Sequence, residues 1–134
     1  MKILVAEDDS ASNAFLSQFL SQYGEVDRVV DGLETLEAYS ICRQELRPYD
    51  IIFLDIMMPK VDGVTVLKAI RNYEIKKKIK PGKTTKVVLT SALSETEYVD
   101  RAREIGCEGC LSKPLDTQKI HDLLIDLGLI EKTE

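Results

Sequence analysis

"DIIFLDIMMPKVDG", residues 50–63, decides how this chain folds. Residues 51–54 are apolar without interruption and end in Asp55. A strand with one face in water alternates apolar and polar side chains. One that is apolar throughout is buried on both faces, as in a parallel sheet covered by helices. Pro59 and Gly63 then break the chain, so Asp55 is delivered at the carboxyl end of a buried strand, with a loop beyond it.

Working outward, the same grammar repeats. "KILVA" (2–6) is a short strand ending abruptly in Glu7, Asp8 and Asp9, and Asp9 reads as the cap of the helix that follows. Ala11, Ala14, Phe15, Leu16, Phe19 and Leu20 recur at helical spacing up to Gly24, which reads as a C-cap. "VDRVV" (26–30) predicts a second strand, and Leu33, Leu36, Ile41 and Leu46 predict a second helix. Downstream, "VTVLKAIRNYEI" (64–75) predicts a third helix, broken by Pro81-Gly82 before a strand "KVVL" (86–89). Ser94 with Glu97 reads as a capping box for a helix reaching about Ile105. "GCL" (109–111) is a minimal fifth strand, and Asp116 caps a last helix through Leu127, halted near Gly128.

Five βα units in series imply an α/β fold, a five-stranded parallel sheet flanked by five helices, because parallel strands need long right-handed crossovers. The expected organisation is one domain over residues 1–128 and a short tail over 129–134 with no output domain. Such sheets gather their functional groups at the carboxyl ends of the strands.

Composition narrows the function. Of 134 residues 44% are hydrophobic and 31% charged, ordinary for a globular domain. The net charge of −5 argues against nucleic acid as the primary partner. The local exception is Lys76, Lys77, Lys78, Lys80 and Lys83, read as a solvated loop or helix end, with a partner contact as the other reading. No apolar stretch is long enough to cross a bilayer and no leader pattern is present, so a cytoplasmic protein without a membrane partner is expected. Three cysteines in such a chain imply free thiols.

Glu7 and Asp8 end the first strand, Asp55 the third, Ser91 the fourth and Lys113 the fifth. Carboxylates crowded at one edge repel, so they retain a proton or hold a cation. An all-oxygen site with few protein ligands suits Mg²⁺. Acids, a hydroxyl and an ammonium together match phosphoryl transfer: cation and lysine neutralise phosphate oxygens, the hydroxyl donates to one, and a carboxylate attacks phosphorus.

The motifs "ILVAEDD", "DIIFLDIMMPKVDG", "VVLTSA" and "LSKPL" resemble those of the receiver domains of two-component response regulators, over nearly the whole chain. The resemblance implies the flavodoxin-like strand order 2-1-3-4-5. It implies Asp55 as phosphoacceptor, Asp8 as a direct Mg²⁺ ligand, Glu7 as a ligand through water, and the Met57 carbonyl as a further ligand. Lys113 would contact the phosphoryl group, the bond before Pro114 would be cis, and Gly63 would shape the loop. Thr90 and Ser91 both fit the switch hydroxyl, with Ser91 preferred because Ala92 follows it. The implied partners are a histidine kinase or histidine phosphotransfer protein and a downstream protein. The chain would be a phosphoprotein that assists its own phosphorylation and dephosphorylation rather than an enzyme, and a phosphorylation-dependent homodimer is allowed.

Two positions depart from the family pattern. Cys110 stands where an aromatic switch residue is usual, and Met57 replaces the polar group some relatives carry two residues after the phosphoacceptor. Two other readings compete. A phosphatase of the haloacid dehalogenase type needs a second acid at the Met57 position. A redox or zinc module on Cys107 and Cys110 would need a helix N-terminus for the thiolate, or Cys42 and His121 as further zinc ligands.

Overall fold

The computed structural model describes residues 1–132. Strands β1 (Lys2–Ala6), β2 (Glu25–Val29), β3 (Ile51–Asp55), β4 (Lys86–Ser91) and β5 (Gly109–Ser112) form one sheet in the order β2-β1-β3-β4-β5, every pair parallel. Helices α1 (Ser10–Leu20), α2 (Gly32–Gln44), α3 (Gly63–Lys76), α4 (Thr96–Ile105) and α5 (Thr117–Asp126) supply the crossovers. Among the described residues, no helix is long and apolar enough to cross a membrane.

Alternation along each strand sends successive side chains to opposite faces. Ile3, Val5, Ile51, Phe53 and Val88 pack against Leu16 and Leu20 of α1 and Ile120 and Leu124 of α5. Their neighbours Leu4, Ala6, Ile52, Leu54, Val87 and Leu89 pack against α2, α3 and α4 through Tyr39, Leu67, Ile70 and Ala102. All five residues of β3 are buried, as the central strand of a covered sheet must be. The edge strand β2 is largely polar and part-exposed, which blunts the sheet edge.

Helix starts follow the sequence closely. The side chains of Asp9, Asp31, Asp62 and Asp116 accept amide hydrogen bonds at the N-termini of α1, α2, α3 and α5. Three local readings are overturned. In α2, Leu33 and Ile41 are exposed and Leu46 lies beyond the helix, while Tyr39 and Cys42 take the core face. Gly24 caps no helix, since α1 ends at Leu20 with Ser21 in right-handed helical geometry. Gly24 is needed because a Cβ there would collide with the Met1 carbonyl, beside the Glu25 amide bond to that same oxygen. Ser94 and Glu97 form no capping box: a 3-10 turn over Leu93–Glu95 precedes α4 and shifts the frame. In that frame the Ala92 amide donates to the Glu95 carboxylate at 3.0 Å.

Candidate functional site

Parallel pairing puts the ends of β1, β3, β4 and β5 at one edge. Ala6 lies beside Leu54, Asp55 beside Thr90, and Ser91 beside Ser112. The residues that follow or end these strands are therefore brought together. Carboxylate oxygens of Glu7, Asp8 and Asp55 lie within 4.8 Å of one another, with Glu7 and Asp55 buried and Asp8 exposed. Lys113 bridges the buried pair, its Nζ 2.8 Å from Glu7 Oε1 and 3.2 Å from Asp55 Oδ2.

The backbone fixes both acids. The Asp9 amide donates to Glu7 Oε2 at 3.2 Å and the Met57 amide to Asp55 Oδ1 at 3.3 Å. The loop after β3 folds back sharply, with Gly63 N–H donating to Ile56 O at 2.7 Å. A Cβ on Gly63 would stand 2.5 Å from Asp55 O, so only glycine lets α3 start this close to the strand end. The loop is also held from behind: Lys60 Nζ lies 3.4 Å from Asp31 Oδ2, and the Gly32 amide donates to Pro59 O.

Charge is unevenly shared between the acids. Burial and then the neighbouring Glu7 carboxyl push Asp55 up to about 8, against the opposing pull of Lys113. For Glu7, burial acts upward, but hydrogen bonds with Asp55, Lys113 and the Asp9 amide outweigh it and hold the group below its ordinary value. Burial acts downward on Lys113, yet its bonds with Glu7 and Asp55 hold it above its ordinary value. One lysine thus leaves the three acids under-neutralised at the Asp55 end.

Mg²⁺ fits what is present. It takes oxygen ligands at ~2.0–2.1 Å, which sets cis donors roughly 3 Å and trans donors roughly 4 Å apart, and it keeps several waters. Three carboxylates whose oxygens lie within 4.8 Å of one another, one of them open to solvent, reach such a donor set by small side-chain rotations.

The comparisons with known proteins point the same way as this geometry. The model of the response regulator receiver domain matches residues 3–125. This chain belongs to that family. Among its relatives is the chemotaxis protein CheY of Treponema pallidum, 32% identical over 121 residues, covering 89% of this chain and 76% of that protein. The osmosensing histidine protein kinase SLN1 of Saccharomyces cerevisiae is 29% identical over 94% of this chain, which spans only 10% of that kinase. Among solved structures, a CheX–CheY–BeF3–Mg²⁺ complex from Borrelia burgdorferi aligns with a TM-score of 0.80 at 26% identity, covering 96% of this chain and 89% of that one.

Within this receiver domain, the two candidate hydroxyls face opposite ways. Thr90 shares strand parity with Val88 and faces α1 and α5, whereas Ser91 shares parity with Leu89 and faces α4. Both are buried, and Ser91 Oγ meets Cys110 Sγ at 3.6 Å. The Ser91 carbonyl accepts the Lys113 amide at 2.7 Å, tying the end of β4 to the lysine. The Lys113–Pro114 bond is cis. Met57 is 48% exposed beside the site and offers no acid there.

The cysteines are not gathered into a centre. Cys107 and Cys110 are half-buried free thiols on the α4 side of the core. Cys42 is buried against Lys2 Nζ, and His121 Nδ1 hydrogen-bonds Tyr23 OH. Among the described residues the one grouping of possible metal ligands is Glu7, Asp8 and Asp55.

Sequence reasoning passed over Asn13. Buried in α1, it donates from Nδ2 to Glu7 O at 3.0 Å and Val29 O at 3.1 Å, and its Oδ1 accepts from Arg28 Nε at 2.7 Å. It fixes the backbone from which Glu7 and Asp8 project. The signal was available: Asn13 lies one helical turn from the buried Ser17 and Leu16, a polar residue on a core-facing stripe.

Proposed function

We propose that this receiver domain, over residues 1–128, accepts a phosphoryl group on Asp55 in the cytoplasm from a histidine kinase or histidine phosphotransfer protein. The observation that carries the reading is Lys113 bridging Glu7 and Asp55 at the strand edge, where Asp8 completes an oxygen donor set. Asp8 and Asp55 would hold Mg²⁺ directly and Glu7 through water, with the Met57 carbonyl as a further ligand. When bound, Mg²⁺ neutralises the phosphoryl oxygens and the acids around them.

The chain's own groups do the rest. Ionised Asp55 attacks phosphorus with a carboxylate oxygen. The P–N bond to the donor imidazole breaks, and the imidazole nitrogen keeps the electron pair and takes a proton. Lys113 releases its contact with Asp55 Oδ2 and pairs with a phosphoryl oxygen. The Ser91 hydroxyl, with Thr90 as the alternative donor, turns toward another. Because Ser91 also touches Cys110, that turn changes the α4–β5 surface, and the change in surface switches contacts with a downstream protein. Cys110 is too small to act as an aromatic switch, so the signal travels through Ser91 and the start of α4.

The test is incubation with acetyl phosphate and Mg²⁺ followed by intact-mass measurement. A phosphate adduct is expected on the wild-type chain and its loss in Lys113→Ala or on chelation of Mg²⁺. Adduct formation that ignores both would overturn the reading.

A further inference from the structure

At the opposite edge of the sheet, where the strands begin, a groove of about 460 Å³ runs between the end of α3 and the α4–β5 turn. Its walls include Ile75, Ile79, Pro81 and Ile105. Its charged floor is self-contained. Glu74 accepts from Tyr39 OH, Arg43 and Arg71 and from the Thr85 amide, while Arg71 holds Glu108 through two bonds of 2.6 and 2.8 Å. Two arginines against two glutamates leave the floor with no net charge.

The rim is different. Lys76 follows Ile75, Lys78 and Lys80 flank Ile79, and Lys83 precedes Thr84, another lining residue. With Lys77 they are all exposed, and none of the five ammonium groups forms an ion pair among the described residues. Lys77 does lie over the Tyr73 ring, 5.9 Å from its centroid. In a chain of net charge −5, five unpaired cations, each within two residues of a lining residue though none lines the groove, give this end of the molecule a local positive field. Ile75, 75% exposed, is among the most exposed large apolar side chains of the chain and sits on this rim.

We propose that this groove docks an acidic polypeptide segment of a partner protein, an aliphatic or aromatic side chain entering the groove and flanking carboxylates meeting the lysines. Charge complementarity selects an acidic partner. The concavity selects a polypeptide, since a groove of this volume takes one or two side chains, whereas a membrane presents a flat face. The surface lies at the far end of the strands from Asp55, so a partner held here leaves the acidic edge open.

The experiment uses the isotope-labelled full chain and a synthetic glutamate-rich peptide carrying one central phenylalanine, followed by amide NMR shifts. Saturable shifts are expected at Ile75, Ile79, Thr84 and Gly106, with the binding constant weakening about tenfold or more in Lys77→Glu/Lys78→Glu/Lys80→Glu and on raising salt from low to physiological. Ile75→Ser, at an exposed position, weakens binding without altering salt dependence. Both variants keep the wild-type melting temperature and acetyl phosphate adduct, so loss of binding is not loss of fold. No saturable shift, or shifts that the charge reversal leaves unchanged, would overturn the proposal. So would binding of phosphatidylserine vesicles at the same lysines with none of the peptide.

Discussion

Asp55 holds its proton more tightly than a carboxyl in water does, because burial and Glu7 outweigh Lys113. The folded group titrates near 8 and the unfolded one near its ordinary 3.8. Between those values the folded chain binds a proton that the unfolded chain lacks, so stability falls as pH rises through this window. Glu7 is held below its ordinary 4.5 and Lys113 above its ordinary 10.5, so between pH 5.5 and 8.5 neither changes charge in the folded or the unfolded chain. Chemical denaturation with chelator present is expected to give a lower midpoint at pH 8.5 than at pH 5.5, with the slope abolished in Asp55→Asn. Mg²⁺ on these acids displaces the same proton, so its apparent affinity should climb about tenfold per pH unit below 8 in a calorimetric titration. A flat profile would show that the proton is not on Asp55. Beside the acid, Met57 has no group to orient an attacking water. Met57→Asn is expected to shorten the phosphoaspartyl lifetime several-fold, and an unchanged or longer lifetime would remove that explanation.

At the scale of elements, the turn after β3 is the most constrained piece of the molecule. Gly63 is packed against Asp55 O and Ile56 Cα, so Gly63→Ala must push α3 away from the strand end. A cost of about 1–3 kcal/mol in denaturant unfolding is expected, with weaker Mg²⁺ binding because the loop carrying the Met57 carbonyl moves. The chain's punctuation was partly legible at this scale: Asp9 and Asp116 each stand just before a helix they cap, as their sequence position implied. It was illegible where a cap depends on an unseen turn. Leu93–Glu95 forms a 3-10 turn that moves the capping acid from Glu97 to Glu95. Gly24 was legible as a break but not for its reason, since its neighbour Met1 is distant in sequence.

The whole molecule is a sheet with a working edge and a structural edge. The strand pattern and the acidic residues at the strand ends could be read from sequence because burial on both faces leaves an uninterrupted apolar run, as at residues 51–54. The opposite edge could not, because its polar network joins Tyr39 and Arg43 of α2, Arg71 and Glu74 of α3, and Thr85 and Glu108 of the segments before β4 and β5, with no local motif. Glu74 is its hub. Glu74→Ala leaves Arg43 without a carboxylate, Arg71 with Glu108 alone and the Thr85 amide unpaired, and a loss of about 3 kcal/mol in denaturant unfolding is expected. A loss below about 1 kcal/mol would show that water replaces the carboxylate. Phosphoryl transfer belongs to the other edge, and the residue that receives the group can be located. Wild-type chain and Asp55→Asn are each incubated with acetyl phosphate and Mg²⁺, and the acyl phosphate is located by peptide mass mapping. A single phosphate is expected on Asp55 in the wild type and none in the variant; equal labelling of the two would rule out Asp55 as the phosphoacceptor.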